Sequence, residues 1–197
     1  YESSNSIPTE ESLERLASVL GFPVDFFGGD DVEAPTDQNA SFRSFSRMTA
    51  SQRDAALAAG GIAYLLSDWI DSKFNLPTPS VPDCTGLSPE MAAEAVRAEW
   101  SLGQAPIKNM IHLLESKGVR VFSLAEETSQ VNAFSCWRRG STPFVFLNTK
   151  KSSESSRFDA AHELGHLVLH RHGENKGNEV ENEANAFASA LLMPKVS

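Results

Sequence analysis

The sequence has 197 residues, of which 41% are hydrophobic and 22% charged, and it carries a formal net charge of −9 at pH 7. This length allows one good-sized domain or two small ones, and the apolar runs are too short to span a membrane. The excess of acidic side chains disfavours broad binding to nucleic acids or anionic membranes, because affinity for phosphate comes mostly from Lys and Arg.

The N-terminal third is predicted to be helical. Apolar residues at helical spacing predict a helix within residues 7–27, which Gly21 and Pro23 end. Residues 28–41 have the composition of a linker. A second helix is predicted over residues 49–75, capped by Thr49 and broken or bent at Gly60-Gly61.

The middle of the chain contains two shorter predicted helices. Ser88-Pro89-Glu90 is a typical helix start, and this helix extends to about Trp100. Pro106 is expected to begin the next helix, which ends at Ser116 before Lys117-Gly118.

The C-terminal part predicts three strands followed by two helices. The strands are 119–122, 133–137 and 143–147, and Ser152–Ser156 is expected to be a polar loop. Helices are predicted from about Arg157 to Arg171 and from about Val180 to Leu192. The expected fold class is therefore α+β, with a small antiparallel or mixed sheet preceded by a helical segment.

The segment His162-Glu163-Leu164-Gly165-His166 lies on the first of these two helices. Two histidines four residues apart on a helix lie one turn apart and can bind the same Zn²⁺ ion. Glu163 can act as the general base that accepts a proton from the water attacking a peptide carbonyl. The spacing therefore predicts a zinc-metallopeptidase site.

A catalytic zinc site needs a third protein ligand, and several residues are candidates. His172 has the spacing of a metzincin ligand, but Leu169 stands where that motif has its turn-forming glycine. Among the acids of the last helix, we favour Glu183, which shares a face with Phe187 and Ala190, over Glu179 and Glu181, interpreted as surface acids. His170 lies one further turn along, with a predicted role in catalysis or in supporting a ligand.

These motifs resemble those of the ImmA/IrrE family of metallopeptidases. The resemblance covers about residues 90–194 and includes Asn148, Arg157-Phe158, the two histidines with Glu163, His170, and the run from Glu183 to Pro194. It implies a gluzincin-type site in which His162, His166 and Glu183 bind zinc and Glu163 is the general base. It also implies a regulatory role in a stress response or beside toxin–antitoxin genes.

Residues 11–27 resemble the closing helix of an XRE-type helix-turn-helix domain. An ordinary amphipathic helix explains the same pattern equally well. We therefore predict a helix-turn-helix-like remnant at residues 1–32, a linker and helical segment at 33–80, and a metallopeptidase-like domain at 81–197. DNA binding is expected only through a helix-turn-helix in a longer parent protein.

Two functions follow from these patterns. The first is a zinc endopeptidase that cleaves a bacterial or phage regulatory protein; the second is a transcriptional regulator or antitoxin-like binding protein with a structural or sensory zinc. A protein substrate or regulatory partner is expected in either case, and a homodimer is possible. Cys84 and Cys136 form no CxxC pair and no signal peptide is visible, so we expect unpaired thiols in a reducing cytoplasm, with a single disulfide as the alternative.

Overall fold

The computed structural model describes residues 8–29, 31–36, 49–124, 133–148, 150–171 and 177–194, and the chain divides into two compact units, Tyr1–Val32 and Glu33–Ser197. The described residues confirm the α+β class. The helices are α1 (Glu10–Leu20), α2 (Ala50–Lys73), α3 (Pro89–Glu99), α4 (Met110–Ser116), α5 (Ser153–Leu169) and α6 (Asn178–Leu192), and the strands are β1 (Arg120–Ser123), β2 (Ala133–Arg138) and β3 (Thr142–Leu147). Among the described helices, none combines the length and apolar character that a membrane crossing requires.

The first unit contains α1 and a short 3-10 helix, Val24–Gly28. The side chain of Thr9 caps α1 by accepting a hydrogen bond from the backbone N–H of Ser12. The helix ends at Gly21, which has a left-handed backbone with φ of 72°. The helix predicted here is thus confirmed, whereas its relation to a helix-turn-helix stays a prediction.

In the second unit, α2 continues through Gly60-Gly61 without the break that was one of the two predicted outcomes, a break or a bend. A Cβ at Gly60 would lie 2.5 Å from Pro35 Cγ, so this glycine permits a close approach of the chain. Thr49 and Gln52 form a capping box at the start of the helix, which confirms Thr49 as its cap.

The sheet is mixed, with the strand order β1-β3-β2. Strand β3 is central, parallel to β1 and antiparallel to β2. Because side chains alternate along a strand, Phe144 and Phe146 pack on one face with Tyr64 of α2, and Val145 and Leu147 pack on the other face with α5. Strand β3 therefore contacts α2 on one face of the sheet, and on the other face it supports α5, the helix that carries the two histidines.

Two predicted helix starts are wrong. Helix α4 begins at Met110 rather than Pro106, because the side chain of Asn109 caps it. Helix α5 begins at Ser153, within the predicted polar loop, because Ser152 accepts a hydrogen bond from the N–H of Ser155. Serine is a weak helix former inside a helix but a strong N-cap, so a serine-rich segment is compatible with either a polar loop or the start of a helix.

Helix α6 is attached to α3 through a buried guanidinium group. Arg97 of α3 donates hydrogen bonds to the carbonyl oxygens of Leu191, Ala105 and Gly103, at 2.5, 2.6 and 2.8 Å. Burial lowers the pKa of Arg97, but hydrogen bonds to carbonyls compensate a buried charge. This arrangement helps to hold the C-terminal end of α6 in place.

Candidate metal centre and active site

The two histidines of α5 point their Nε2 atoms at the same place. His162 Nε2 and His166 Nε2 are 3.0 Å apart, as expected for residues one helical turn apart. His166 is buried and His162 partly buried. Helix α5 is held beneath them by Trp137, which donates to the carbonyl of Leu167, and by the backbone N–H of Cys84, which donates to the carbonyl of Val168.

Glu181 of α6 brings a carboxylate to the same place. Its Oε2 lies 3.4 Å from His162 Nε2, and its Oε1 lies 3.4 Å from His166 Nε2. Ligand atoms about 2.0–2.1 Å from a tetrahedral zinc ion are roughly 3.3–3.4 Å from one another. Two imidazole nitrogens and one carboxylate at these separations therefore fit zinc both in geometry and in donor type.

The charges of these groups also suit a cation. Burial by itself would raise the pKa of Glu181, but hydrogen bonding and attraction to His162 and His166 outweigh it and hold this pKa well below its usual range. Burial would lower the pKa of His162, but Glu181, Glu163 and Asn185 outweigh it and raise this pKa. Glu181 is thus ionised at neutral pH and supplies a buried negative charge.

Glu183, the predicted ligand, lies elsewhere. Its Oε2 is 2.8 Å from His170 Nε2, and its side chain is 39% exposed, compared with 9% for Glu181. Glu179 is exposed, and His172 lies outside the described residues. The different placement of the two acids has a simple cause: the buried face of α6 is centred on Ala184 and Ala188, and Glu181, three residues before Ala184, lies on that face whereas Glu183 lies at its edge.

Asn185 supports the first histidine. Its Oδ1 lies 3.0 Å from His162 Nδ1. An amide oxygen can only accept, so it favours the tautomer with the proton on Nδ1 and leaves the Nε2 lone pair facing His166 and Glu181. Asn185 follows Glu181 by four residues, which places both on one side of α6.

Glu163 is buried and is in contact with β2. Ser135 Oγ donates to Glu163 Oε2 at 2.7 Å and lies 3.2 Å from the carbonyl oxygen of Glu163. A hydroxyl donor at this distance stabilises an ionised carboxylate and restricts its rotamer.

The neighbouring Cys136 points to the opposite face of the sheet, where burial raises the pKa of its thiol to about 12. Both Cys84 and Cys136 are free, as predicted, and both are buried.

His170 is the C-terminal cap of α5 and contacts the second histidine. His170 Nδ1 is 3.2 Å from His166 Nδ1, and its backbone N–H donates to the carbonyl of His166 at 3.0 Å. Burial lowers the pKa of His170, and the neighbouring His166 lowers it further, while Glu183 acts in the opposite direction. The structure therefore places His170 behind His166, between that residue and Glu183.

Gly165 allows the two helices to come together. A Cβ at this position would lie 3.0 Å from Phe187 Cδ1 and 3.2 Å from the Cα of Ala184, both on α6. A larger residue here would push α6 away from α5, because neighbouring atoms are already in van der Waals contact. The glycine within the histidine motif is thus one reason that Glu181 reaches the two imidazoles.

Residues 114–196 match the peptidase M78 family model, the IrrE N-terminal-like domain. The match runs from the end of α4 through α6 and includes both histidines, Glu163 and Glu181. It supports the resemblance to the ImmA/IrrE family and a peptidase-type domain in this part of the chain. No curated protein and no solved structure matched the chain.

Three residues that the structure brings to this place are not assigned to it by the sequence patterns. Glu181 is predicted to be a surface acid, although its spacing of three and seven residues from Ala184 and Ala188 is also compatible with a buried face. Asn185 has no predicted role. Ser135 gave no signal at all, because it comes from a distant strand and reaches Glu163 only in the folded protein.

Proposed function

We propose that this protein is a zinc-dependent endopeptidase of the gluzincin type, which cleaves a bacterial or phage regulatory protein. The observation that carries the proposal is the convergence of His162, His166 and Glu181 at separations that suit one zinc ion, with Glu163 next to the first histidine. A buried carboxylate beside two imidazoles on rigid helices is typical of a catalytic zinc site.

Each side chain has a defined part in this chemistry. His162, His166 and Glu181 would hold zinc, which when bound polarises a substrate carbonyl and lowers the pKa of water. Glu163 accepts the proton of the attacking water and returns it to the departing amine. Ser135 holds the carboxylate of Glu163, and Asn185 holds the imidazole of His162.

The test combines metal content with loss of the base. We expect about one zinc per chain by elemental analysis, as one three-ligand site implies. Cleavage is measured on a proteome-derived peptide library, with new termini identified by mass spectrometry. Glu163→Gln should retain zinc and lose cleavage by at least about 100-fold, because general-base catalysis contributes at least that much. Cleavage at the parent rate in this variant, or a parent that binds no zinc, would rule out the proposal.

A second candidate, a binding protein with a structural or sensory zinc, is favoured by the outer face of α2. Ile62, Leu65, Leu66 and Trp69 are between 45% and 57% exposed along this helix, and exposed apolar patches often mark protein interaction sites. This candidate predicts that a partner protein binds without being cleaved and that Glu163→Gln leaves its affinity unchanged. Trp69→Glu should then weaken binding, and Glu163→Gln is the matched control.

A further inference from the structure

We propose that His170 and Glu183 form a hydrogen-bonded relay that orients His166 for metal binding, so that His170 acts as a positioning residue. This inference rests on the proposed function, because it concerns the same zinc site. Carboxylates and other acceptors behind a metal-bound histidine commonly fix its ring and raise its basicity. Here that acceptor is a second imidazole, and the carboxylate is one step further away.

The hydrogen-bonding atoms allow only one consistent arrangement for a ligand at His166 Nε2. The Nε2 lone pair must face the metal, so the proton of neutral His166 is on Nδ1. That proton is donated to His170 Nδ1, 3.2 Å away. His170 must then carry its own proton on Nε2, where Glu183 Oε2 accepts it at 2.8 Å. Three groups thus form one chain in which every donor has an acceptor.

Burial makes His170 difficult to replace by solvent. Its side chain is 7% exposed, and a buried donor such as His166 Nδ1–H needs a partner inside the protein. A backbone hydrogen bond, from the N–H of His170 to the carbonyl oxygen of His166, also connects these two residues. Glu183, at the outer end of the relay, is 39% exposed, so water can partly substitute for it.

The two histidine ligands are therefore supported in different ways. His162 is held by the amide of Asn185 on α6, whereas His166 is held by a residue of its own helix. A change at His170 should weaken the hold on His166 and leave the contact between Asn185 and His162 in place. This difference permits a test directed at one ligand only.

The experiment compares two nearly isosteric substitutions at one position. In His170→Asn, the side-chain oxygen can accept from His166 Nδ1–H, whereas His170→Leu has the same size and no acceptor. The zinc dissociation constant is measured by competition with a chromophoric chelator at fixed pH. We expect His170→Leu to weaken zinc binding by about 10–100-fold and His170→Asn to stay within a few-fold of the parent.

The outcomes separate this inference from the proposed function. If the parent binds zinc tightly and both variants match it, or both weaken equally, the relay is refuted and the proposed function stands. If the parent binds no zinc, both fall. If thermal unfolding without metal shows that His170→Leu does not fold, Glu183→Gln and Glu183→Met provide the same comparison, since glutamine can still accept from His170 and methionine cannot do so effectively. Equal zinc affinity in that pair refutes the relay, and a weaker affinity in Glu183→Met alone supports it.

Discussion

Ser135 of β2 donates a 2.7 Å hydrogen bond to the carboxylate of Glu163 on α5. The two residues are 28 positions apart, and both are buried. The sheet thus holds the side chain that is proposed to act as the general base, while the helix alone supplies the two imidazoles. A base held in one rotamer reacts faster than a mobile one, because its orientation is established before the reaction.

Replacing Ser135 should therefore lower turnover without loss of metal. Hydrogen bonds to charged groups contribute about 1.5–3 kcal/mol, which corresponds to roughly 10–100-fold in kcat for Ser135→Ala. Zinc content and KM should not change. Ser135→Thr keeps the hydroxyl and should recover most of the activity; equal losses in the two variants would indicate that the hydroxyl is not involved.

Glu181 and Glu183 should respond differently to the same substitution. Glu181→Gln removes the anionic group from the two imidazoles, so we expect the zinc dissociation constant to rise by far more than it does in Glu183→Gln. Both substitutions remove one negative charge from α6, and the zinc dissociation constant of each variant is measured by chelator competition. A larger effect in Glu183→Gln would restore the ligand predicted from the sequence and would exclude Glu181.

Stability at acidic pH should depend on the ion pairs of Arg138. This side chain donates to Asp68 and Glu33, and hydrogen bonding to Arg138 is the main reason that the pKa values of both carboxyls are lowered. A lowered folded-state pKa stabilises the protein above the unfolded-state pKa, and this contribution disappears as the pH falls through the folded-state value.

The corresponding measurement is urea unfolding between about pH 5 and pH 3, where carboxyl groups titrate. The free energy of unfolding should fall less steeply with decreasing pH in Asp68→Asn than in the parent. Identical slopes in the two proteins would mean that the Asp68 pair contributes nothing measurable.

Gly165→Ala should destabilise the protein, although alanine is the better helix former. Propensity alone would favour alanine by about 1 kcal/mol. The added Cβ would meet Phe187 and the backbone of Ala184 at 3.0–3.3 Å, and such overpacking typically costs about 1–3 kcal/mol. Urea unfolding measures the balance, and zinc affinity should decrease as α6 shifts outwards. A variant more stable than the parent would show that α5 and α6 can accommodate the added Cβ without a loss of stability.

The local sequence determined most of the secondary structure and the central motif of the site. Caps such as Ser88 and Thr49 act through atoms of the next few residues, so they can be recognised without tertiary information. The spacing of His162 and His166 acts in the same way, because one helical turn sets the distance between them. These features depend on neighbours in the chain, and the structure agrees with them.

Tertiary packing decided the rest. The choice between Glu181 and Glu183 depends on how α6 is rotated against α5, and that rotation is set by Gly165, Phe187 and Ala184 in contact. Ser135 reaches Glu163 only because strand β2 packs against helix α5 in the folded protein. A sequence pattern specifies which residues share a helical face. The direction in which that face points depends on how the helix packs against side chains of other elements, and these close contacts exist only in the folded core.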